Sequence, residues 1–232
     1  MPPRTSVIVP VHNEARTLPG VLRALEAASG GGVCEVIAVD DGSTDTSGAI
    51  LDAWAAERPD RRVIHLLRNQ GKGAALRAGF ADARGEIVVV HDADGEYDVA
   101  DHAALLAPLL AGRADAVWGN RMHRGNPVGY RRYWLGNYAI SLLASLLFGR
   151  RVHDVETGAK ALRRTLLSSL RLRAEHFDIE VEMTARVLQA RVAFAEVPVR
   201  YHPRRFAEGK KISWRDGVRA VWLLIGYRIF NR

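Results

Sequence analysis

The chain has 232 residues, of which 48% are hydrophobic and 25% are charged, and 33 Lys and Arg against 26 Asp and Glu give a net charge of +7. These proportions predict one globular domain with a sizeable core, and they exclude a disordered chain, a collagen-like repeat and a coiled coil. The single cysteine, Cys34, excludes a disulfide framework and a cysteine-based zinc site.

In chain order, short apolar runs alternate with segments of helical periodicity as far as residue 119. Strands are predicted at 5–10, 34–40, 62–67, 86–91 and 114–119, and helices at 18–28, 45–57, 72–83 and 99–111. Strict alternation predicts an α/β fold with a mostly parallel sheet covered by helices, in which ligands bind beyond the carboxyl ends of the strands. A basic loop at 120–132, an apolar helix at 134–148, further α/β elements to about 201 and a basic terminal helix should follow.

Charge is divided unevenly between the two halves. Residues 1–115 contain 11 basic and 17 acidic side chains, whereas residues 116–232 contain 22 basic and 9 acidic side chains. Arginine supplies 29 of the 33 basic residues, and its planar guanidinium suits bidentate contact with phosphate. The second half should therefore meet an anionic partner: a phosphorylated ligand, a membrane surface or nucleic acid. Nucleic acid is not expected, because no aromatic residues are interleaved with the basic ones.

Two acidic motifs stand directly after predicted strands. Asp92 and Asp94 can converge on one hard divalent cation, Mg²⁺ or Mn²⁺, held together with substrate phosphates; the alternative is a solvated acidic turn. Asp41 is well placed to bind ribose hydroxyls or a base edge, and the alternative there is a turn that caps the next helix.

Several other chemistries lack their motifs. The segment around Lys72 does not have the glycine and hydroxyl spacing of a P-loop, and no Gly-x-Gly-x-x-Gly follows the first strand. There is also no Gly-x-Ser-x-Gly elbow for acyl transfer. These absences argue against a P-loop NTPase, a dinucleotide-binding domain and a serine hydrolase.

Four segments in register over residues 5–98 resemble the inverting nucleotide-sugar glycosyltransferases of family 2, which have the GT-A fold. They are SVIVPVHNEARTL, EVIAVDDGSTDTS, NQGKGAALRAGF and IVVVHDADGEYD. Residues 118–121, 154–160, 196–199 and 204–211 are similar to the branch of dolichol-phosphate mannosyltransferases and polyprenyl-phosphate glycosyltransferases. The resemblance covers nearly the whole chain.

The resemblance implies a role for several residues. The nucleoside would be bordered by Pro10, His12, Glu14 and Asp41; the metal and donor diphosphate would be held by Asp92, Asp94 and Glu96. Phosphates would be clamped by Arg121, Arg131, Arg204 and Lys210, with Arg121 and Arg131 on the acceptor phosphate. Asp94, Arg121, Arg204 and Lys210 are thus the predicted catalytic group. Residues 1–232 would form one domain, with 1–119 binding the nucleotide sugar and metal and 120–232 binding the acceptor.

The implied reaction is metal-dependent, inverting transfer of a hexose from a UDP- or GDP-sugar to a polyprenyl phosphate such as dolichyl or undecaprenyl phosphate. The alternative is a soluble family 2 enzyme that acts on a small molecule, a protein or a polysaccharide.

Membrane attachment is expected without a membrane span. No signal sequence is apparent, and the apolar stretches at 134–148 and 218–230 are shorter than the roughly 20 residues that a span requires. We therefore expect a cytoplasmic protein held at the cytoplasmic face of the membrane by amphipathic interfacial helices or by a membrane partner protein. The alternative is that both helices only pack on the core.

Overall fold

A computed structural model describes residues 4–28, 33–123, 125–127, 131–204 and 214–230, with the backbone alone at 132 and 214–216. The strands are β1 Thr5–Val11, β2 Val33–Asp40, β3 Arg61–His65, β4 Ile87–Val90, β5 Ala116–Asn120, β6 Lys160–Arg163 and β7 Phe194–Pro198. The helices are α1 Leu18–Ala28, α2 Ser47–Ala56, α3 Lys72–Asp82, α4 His102–Leu110, α5 Arg131–Phe148, α6 Arg164–Ser169, α7 Ile179–Ala190 and α8 Trp214–Phe230.

The seven strands form one mixed sheet in the order β3-β2-β1-β4-β6-β5-β7. β1 pairs in parallel with β2 and β4, β2 with β3, and β5 with β7; only β6 runs antiparallel, to both β4 and β5. The predicted α/β fold with a mostly parallel sheet is confirmed.

Helices cover both faces of the sheet. Along β1, Val7 and Val9 pack against α1, whereas Ile8 between them packs on the opposite face with Leu76 of α3. All of these side chains are at most 1% exposed. Burial on both faces explains why the strands are continuous apolar runs, and it leaves the loops at the strand ends as the place for polar function.

Two predicted helices begin differently from the sequence expectation. The helix predicted at 45–57 begins at Ser47, because the Asp45 carboxylate accepts the Ser47 backbone N–H at 2.9 Å. The helix predicted at 99–111 opens with a 3₁₀ turn at Val99–Asp101, where the Asp98 carboxylate accepts the Ala100 N–H.

α5, α7 and α8 build a further core beside the sheet. α5 and α8 run in the same direction, because Gly217 lies beside Ile140 and the Arg228 guanidinium donates to the Leu147 carbonyl at 2.7 Å. Their outer faces carry nine of the twelve large apolar side chains that are exposed in the described chain: Trp134, Leu135, Tyr138, Leu142, Leu146, Val218, Trp222, Ile229 and Phe230. Within the described ranges, no helix has the length and hydropathy needed to cross a bilayer.

Candidate active site

The carboxyl ends of β1, β2 and β4 open into one cleft of about 200 Å³. Eight of the predicted site residues line it: Pro10, His12, Glu14, Asp41, Asp92, Asp94, Glu96 and Arg204. The structure thus brings together the residues predicted for the nucleotide and for the metal.

Asp41 holds the loop that opposes β1 in the cleft. Its buried carboxylate accepts the backbone N–H of Gln70 at 2.7 Å and of Gly71 at 2.8 Å. Gly71 has φ +97°, a conformation that favours glycine, and α3 begins directly after it. Asp41 therefore shapes the cleft through this loop, and its contact with a nucleoside stays a prediction.

Glu14 and His12 lie at the end of β1. Glu14 accepts both terminal nitrogens of Arg204, at 2.9 and 3.2 Å, and its side chain is about 10% exposed. The His12 Nδ1 lies 2.9 Å from the Asp41 carbonyl oxygen. These contacts connect β1 to the β2 loop and to Arg204, which is distant in sequence.

Two cations contact the carboxylates predicted to bind the metal. The Lys72 ammonium lies 2.7 Å from Asp92, and the Arg204 guanidinium lies 3.1 Å from Asp94. Glu96 accepts the Tyr201 hydroxyl and the Arg204 backbone N–H. Each of the three carboxylates therefore has a protein donor.

Burial, together with repulsion from Asp92 and Glu96, raises the pKa of Asp94 to about 7. Crowded, buried carboxylates that repel one another are the hard oxygen donors that Mg²⁺ and Mn²⁺ prefer. Among the residues that the structure describes, however, no three potential ligands converge on one point. The donor chemistry fits a divalent cation, and ion binding requires these side chains to rearrange around Lys72 and Arg204.

Lys72 is a site residue that sequence reasoning missed. Burial opposes its charge, but Asp92 and Glu180 raise its pKa, so it stays an ammonium ion. Glu180, at the start of α7, lies 2.8 Å from Lys72 and also contacts the fully buried Lys160 of β6. Lys72 begins α3 shortly after a strand end, which is a signal in the sequence, but its spacing does not fit a P-loop and the family resemblance assigned it no role. Glu180 gave none, because nothing in the sequence brings α7 to this edge.

A second cavity, of about 120 Å³, adjoins the first and shares Lys72, Asp92 and Asp94 with it. Arg121 enters this cavity, and its Nε and Nη2 donate to the two oxygens of Asp154, each at 2.7 Å. Gly158 also lines this cavity, and a side chain at that position would collide with the Asp92 carboxylate. The cavity ends at α8, which contributes Arg219 and Ala220.

Two predicted phosphate-binding residues are not brought to these cavities in the described chain. Arg131 is exposed at the start of α5 and lines neither of them. Lys210 lies outside the described residues. The phosphate contacts of Arg121, Arg131, Arg204 and Lys210 stay predictions.

Comparison with known proteins decides the family, since the profile described as Glycosyl transferase family 2 matches residues 6–180. The chain belongs to this family and is a glycosyltransferase. It is 33% identical over 217 residues to a polyprenol monophosphomannose synthase of Mycolicibacterium smegmatis, covering 89% of this chain and 80% of the relative. It is 29% identical over 211 residues to an undecaprenyl-phosphate 4-deoxy-4-formamido-L-arabinose transferase of Salmonella gallinarum, spanning 89% of this chain but only 62% of that longer protein.

Solved structures match the GT-A fold. Glucosyl-3-phosphoglycerate synthase of Mycobacterium tuberculosis superposes with a TM-score of 0.76 at 25% identity, over 97% of this chain and 80% of that one. The same synthase with Mg²⁺ and UDP gives a TM-score of 0.74 at 25% identity, over 97% and 79%. These structures support the fold, and the sequence relatives support the predicted polyprenyl-phosphate branch of the family.

Proposed function

We propose that this glycosyltransferase transfers a hexose from a UDP- or GDP-sugar to a polyprenyl phosphate, with inversion at the anomeric carbon. The observation that carries the proposal is the pair of adjoining cavities on either side of Asp92 and Asp94. One lies at the strand ends, where nucleotides bind in α/β proteins, and the other contains Arg121 and reaches α8. A donor and an anionic acceptor could therefore meet at the carboxylates.

The relatives support both substrates. Two are named for polyprenol and undecaprenyl-phosphate chemistry, and the structural neighbour was crystallised with UDP and a divalent ion. In this chain Asp92 and Asp94 would hold the ion, which when bound neutralises charge on the departing nucleoside diphosphate.

The protein's own groups would orient two anions. Lys72 lines both cavities and keeps its charge, so it would face the diphosphate from the side of α3. An acceptor phosphate is ionised at neutral pH, so its oxygen can attack without a strong general base. That oxygen would bond to the anomeric carbon as the bond to the diphosphate breaks on the opposite face, which inverts the configuration. Arg121 would hold the attacking phosphate in the second cavity.

The outer faces of α5 and α8 would bind the membrane surface. Among the described side chains of α5 beyond Arg131, the exposed ones are apolar, and on α8 Trp222, Ile229 and Phe230 are each at least 65% exposed. Because α5 and α8 lie side by side, the nine apolar residues would form one surface next to the second cavity, to which α8 contributes Arg219 and Ala220. A lipid acceptor embedded in that membrane would present its phosphate to Arg121.

A second candidate function is transfer to a water-soluble phosphorylated acceptor. It is favoured by the neighbours that are named for phosphoglycerate and were solved with phosphoglyceric acid. The same cations and carboxylates would serve, and the exposed faces of α5 and α8 would then have no role in acceptor binding.

The test begins with the donor. A panel of UDP- and GDP-sugars is screened for thermal stabilisation of the purified chain with and without Mn²⁺. The best donor, radiolabelled in the sugar, is then incubated with undecaprenyl or dolichyl phosphate in vesicles. Label in the organic extract that depends on Mn²⁺ is expected. Metal-dependent stabilisation without any lipid-linked label would contradict the lipid acceptor.

A further inference from the structure

The inner face of α5 carries three polar residues at intervals of four: Asn137, Ser141 and Ser145. All three are hydrogen-bonded to the segment 152–155. The Ser145 hydroxyl accepts the Val152 N–H at 2.9 Å, and the Ser141 hydroxyl accepts the Val155 N–H at 3.1 Å. Because residues four apart share one face of a helix, they form a continuous stripe along which this segment lies.

Within that segment, Asn137 contacts Asp154, the residue that pairs with Arg121. Its Nδ2 donates to Asp154 Oδ1 at 2.8 Å, and both side chains are buried, with Asn137 6% and Asp154 0% exposed. Asp154 in turn accepts the Arg121 guanidinium at both oxygens and the Arg121 backbone N–H at 2.9 Å. The path from the helix to the cation thus has two hydrogen-bonded steps.

Arg121 is directed into the second cavity by these contacts. Its guanidinium also lies 5.1 Å from the centre of the Tyr201 ring, and Tyr201 lines the same cavity. Burial alone would raise the pKa of the Asp154 carboxyl, but Arg121 and its hydrogen bonds lower it, so the pair stays ionised. The position of the Arg121 charge therefore depends on where Asp154 is held.

We infer that Asn137 is a positioning residue for Arg121, acting through Asp154, and that α5 holds this cation at the reaction site. The helix that exposes Trp134, Leu135 and Tyr138 on its outer face thus fixes Arg121 from its inner face. The inference rests on the proposed function insofar as it takes Arg121 to hold the acceptor phosphate. It gives an apolar helix outside the sheet a direct part in the geometry of the site.

The test compares Asn137→Ala with Ile140→Val. Ile140 is buried on the inner face of the same helix and belongs to its apolar core, so its substitution loosens packing without touching the stripe. With a short, water-soluble prenyl phosphate as acceptor, Asn137→Ala is expected to lower kcat about tenfold or more, because small displacements of a catalytic cation are costly. The KM for the donor should be unchanged. Ile140→Val should keep wild-type kinetics, at a thermal midpoint comparable to that of Asn137→Ala.

A second readout is independent of turnover. The Arg121 backbone N–H is bonded to Asp154, so hydrogen exchange at this amide reports whether Asp154 is held in place. Asn137→Ala should accelerate exchange at Arg121, and Ile140→Val should not. If the wild type transfers no sugar to the prenyl phosphate while this difference is seen, the positioning role stands and the proposed function fails. Equal exchange in both variants, or unchanged kinetics for Asn137→Ala on an active enzyme, would overturn the inference.

Discussion

Arg204 and Lys72 are the cations that contact the predicted metal ligands in this structure. Arg204 lies between Glu14 and Asp94, and Lys72 lies between Asp92 and Glu180. Buried carboxylates without counter-charges would be costly, so these two side chains neutralise the cluster when no divalent ion is bound. An incoming ion must therefore share its ligands with Arg204 or displace it.

Replacing Asp94 tests the metal ligand itself. Asp94→Asn should reduce turnover by about a hundredfold or more and weaken Mn²⁺ binding, because it removes one charged oxygen donor at strand β4. The fold should remain cooperative, since the change also removes repulsion from Asp92 and Glu96. Turnover and Mn²⁺ affinity are also measured for Asp60→Asn, a half-buried control before β3 that lies outside the cleft. Full activity of Asp94→Asn in the presence of a chelator would refute the assignment.

Replacing Arg204 separates its two contacts. Arg204→Ala should lower kcat/KM by about tenfold or more, because charge-assisted contacts contribute about 1.5–3 kcal/mol. Mn²⁺ without nucleotide should bind more tightly, because Glu14 and Asp94 lose a competing cation. Arg200→Ala is the matched control, since Arg200 lies four residues before Arg204 but pairs with Asp98 and Asp101 outside the cleft. Wild-type kinetics with unchanged Mn²⁺ affinity would contradict this prediction.

The sequence predicted Asp92, Asp94 and Glu14 at one place because strand ends of a parallel sheet converge. It did not predict the partner of each charge. Arg121 was expected to be available for a phosphate, but Asp154, thirty-three residues later, takes two of its donors. Such pairings depend on tertiary packing between distant segments, which neither periodicity nor motif spacing encodes.

A buried histidine pair connects the end of β4 to the start of α4, since His91 directly follows β4 and His102 is the first residue of α4. The rings of His91 and His102 lie 4.9 Å apart, with a 3.1 Å contact between nitrogens. Burial lowers the pKa of His91 from 6.5 to about 4, and burial with repulsion from His91 lowers that of His102 to about 3. Both rings are therefore neutral in the folded protein at neutral pH.

This pair predicts acid sensitivity of the fold. Below pH 6.5 the unfolded chain binds protons that the folded chain does not, so stability is full above 6.5 and falls as the pH drops toward about 4. Each histidine lowers the free energy of unfolding by up to about 1.4 kcal/mol for each pH unit of acidification in this window. Urea unfolding between pH 7.5 and 5 should show a smaller loss for His102→Gln than for the wild type, with His153→Gln as an exposed control. Identical pH slopes for all three proteins would exclude the pair as the cause.

α5 and α8 combine the two alternatives that the sequence left open. Their inner faces pack on the core through Ile140, Ala144 and Leu224, while their outer faces expose apolar side chains. Both helices therefore carry apolar side chains on two faces, and their attachment to the membrane stays a prediction. The sequence did not predict the polar stripe on the inner face of α5. Along the chain, Asn137, Ser141 and Ser145 appear only as isolated polar residues within an apolar segment.

Membrane binding by these faces is tested with vesicles. The chain should co-sediment with anionic vesicles at low salt and less at high salt, because each basic residue near the surface contributes about 1 kcal/mol that salt screens. Leu142→Ser with Trp222→Ser should reduce partitioning about a hundredfold or more, since large apolar side chains each contribute about 1.5–3 kcal/mol on burial. Leu110→Ser, exposed on α4, is the control. No binding to anionic vesicles at either salt concentration would refute docking.

For the whole molecule, the alternation of strands and helices to residue 119 was sufficient to predict the sheet and the edge that carries the site. The insertion of β6 between β4 and β5, antiparallel to both, was not predicted. This strand contains the buried Lys160, which an apolar pattern does not anticipate, and its neutralisation by Glu180 exists only in the folded protein. Gly158, two residues before this strand, lies beside the Asp92 carboxylate.

The two candidate acceptors can be compared in one tube. The chain is supplied with its preferred nucleotide sugar, Mn²⁺, undecaprenyl phosphate in anionic vesicles and an equal concentration of 3-phosphoglycerate, and both products are quantified by mass spectrometry. Glycosylated polyprenyl phosphate should be the main product, and Leu142→Ser with Trp222→Ser should reduce its yield. Exclusive glycosylation of phosphoglycerate, unaffected by these substitutions, would refute transfer to the lipid.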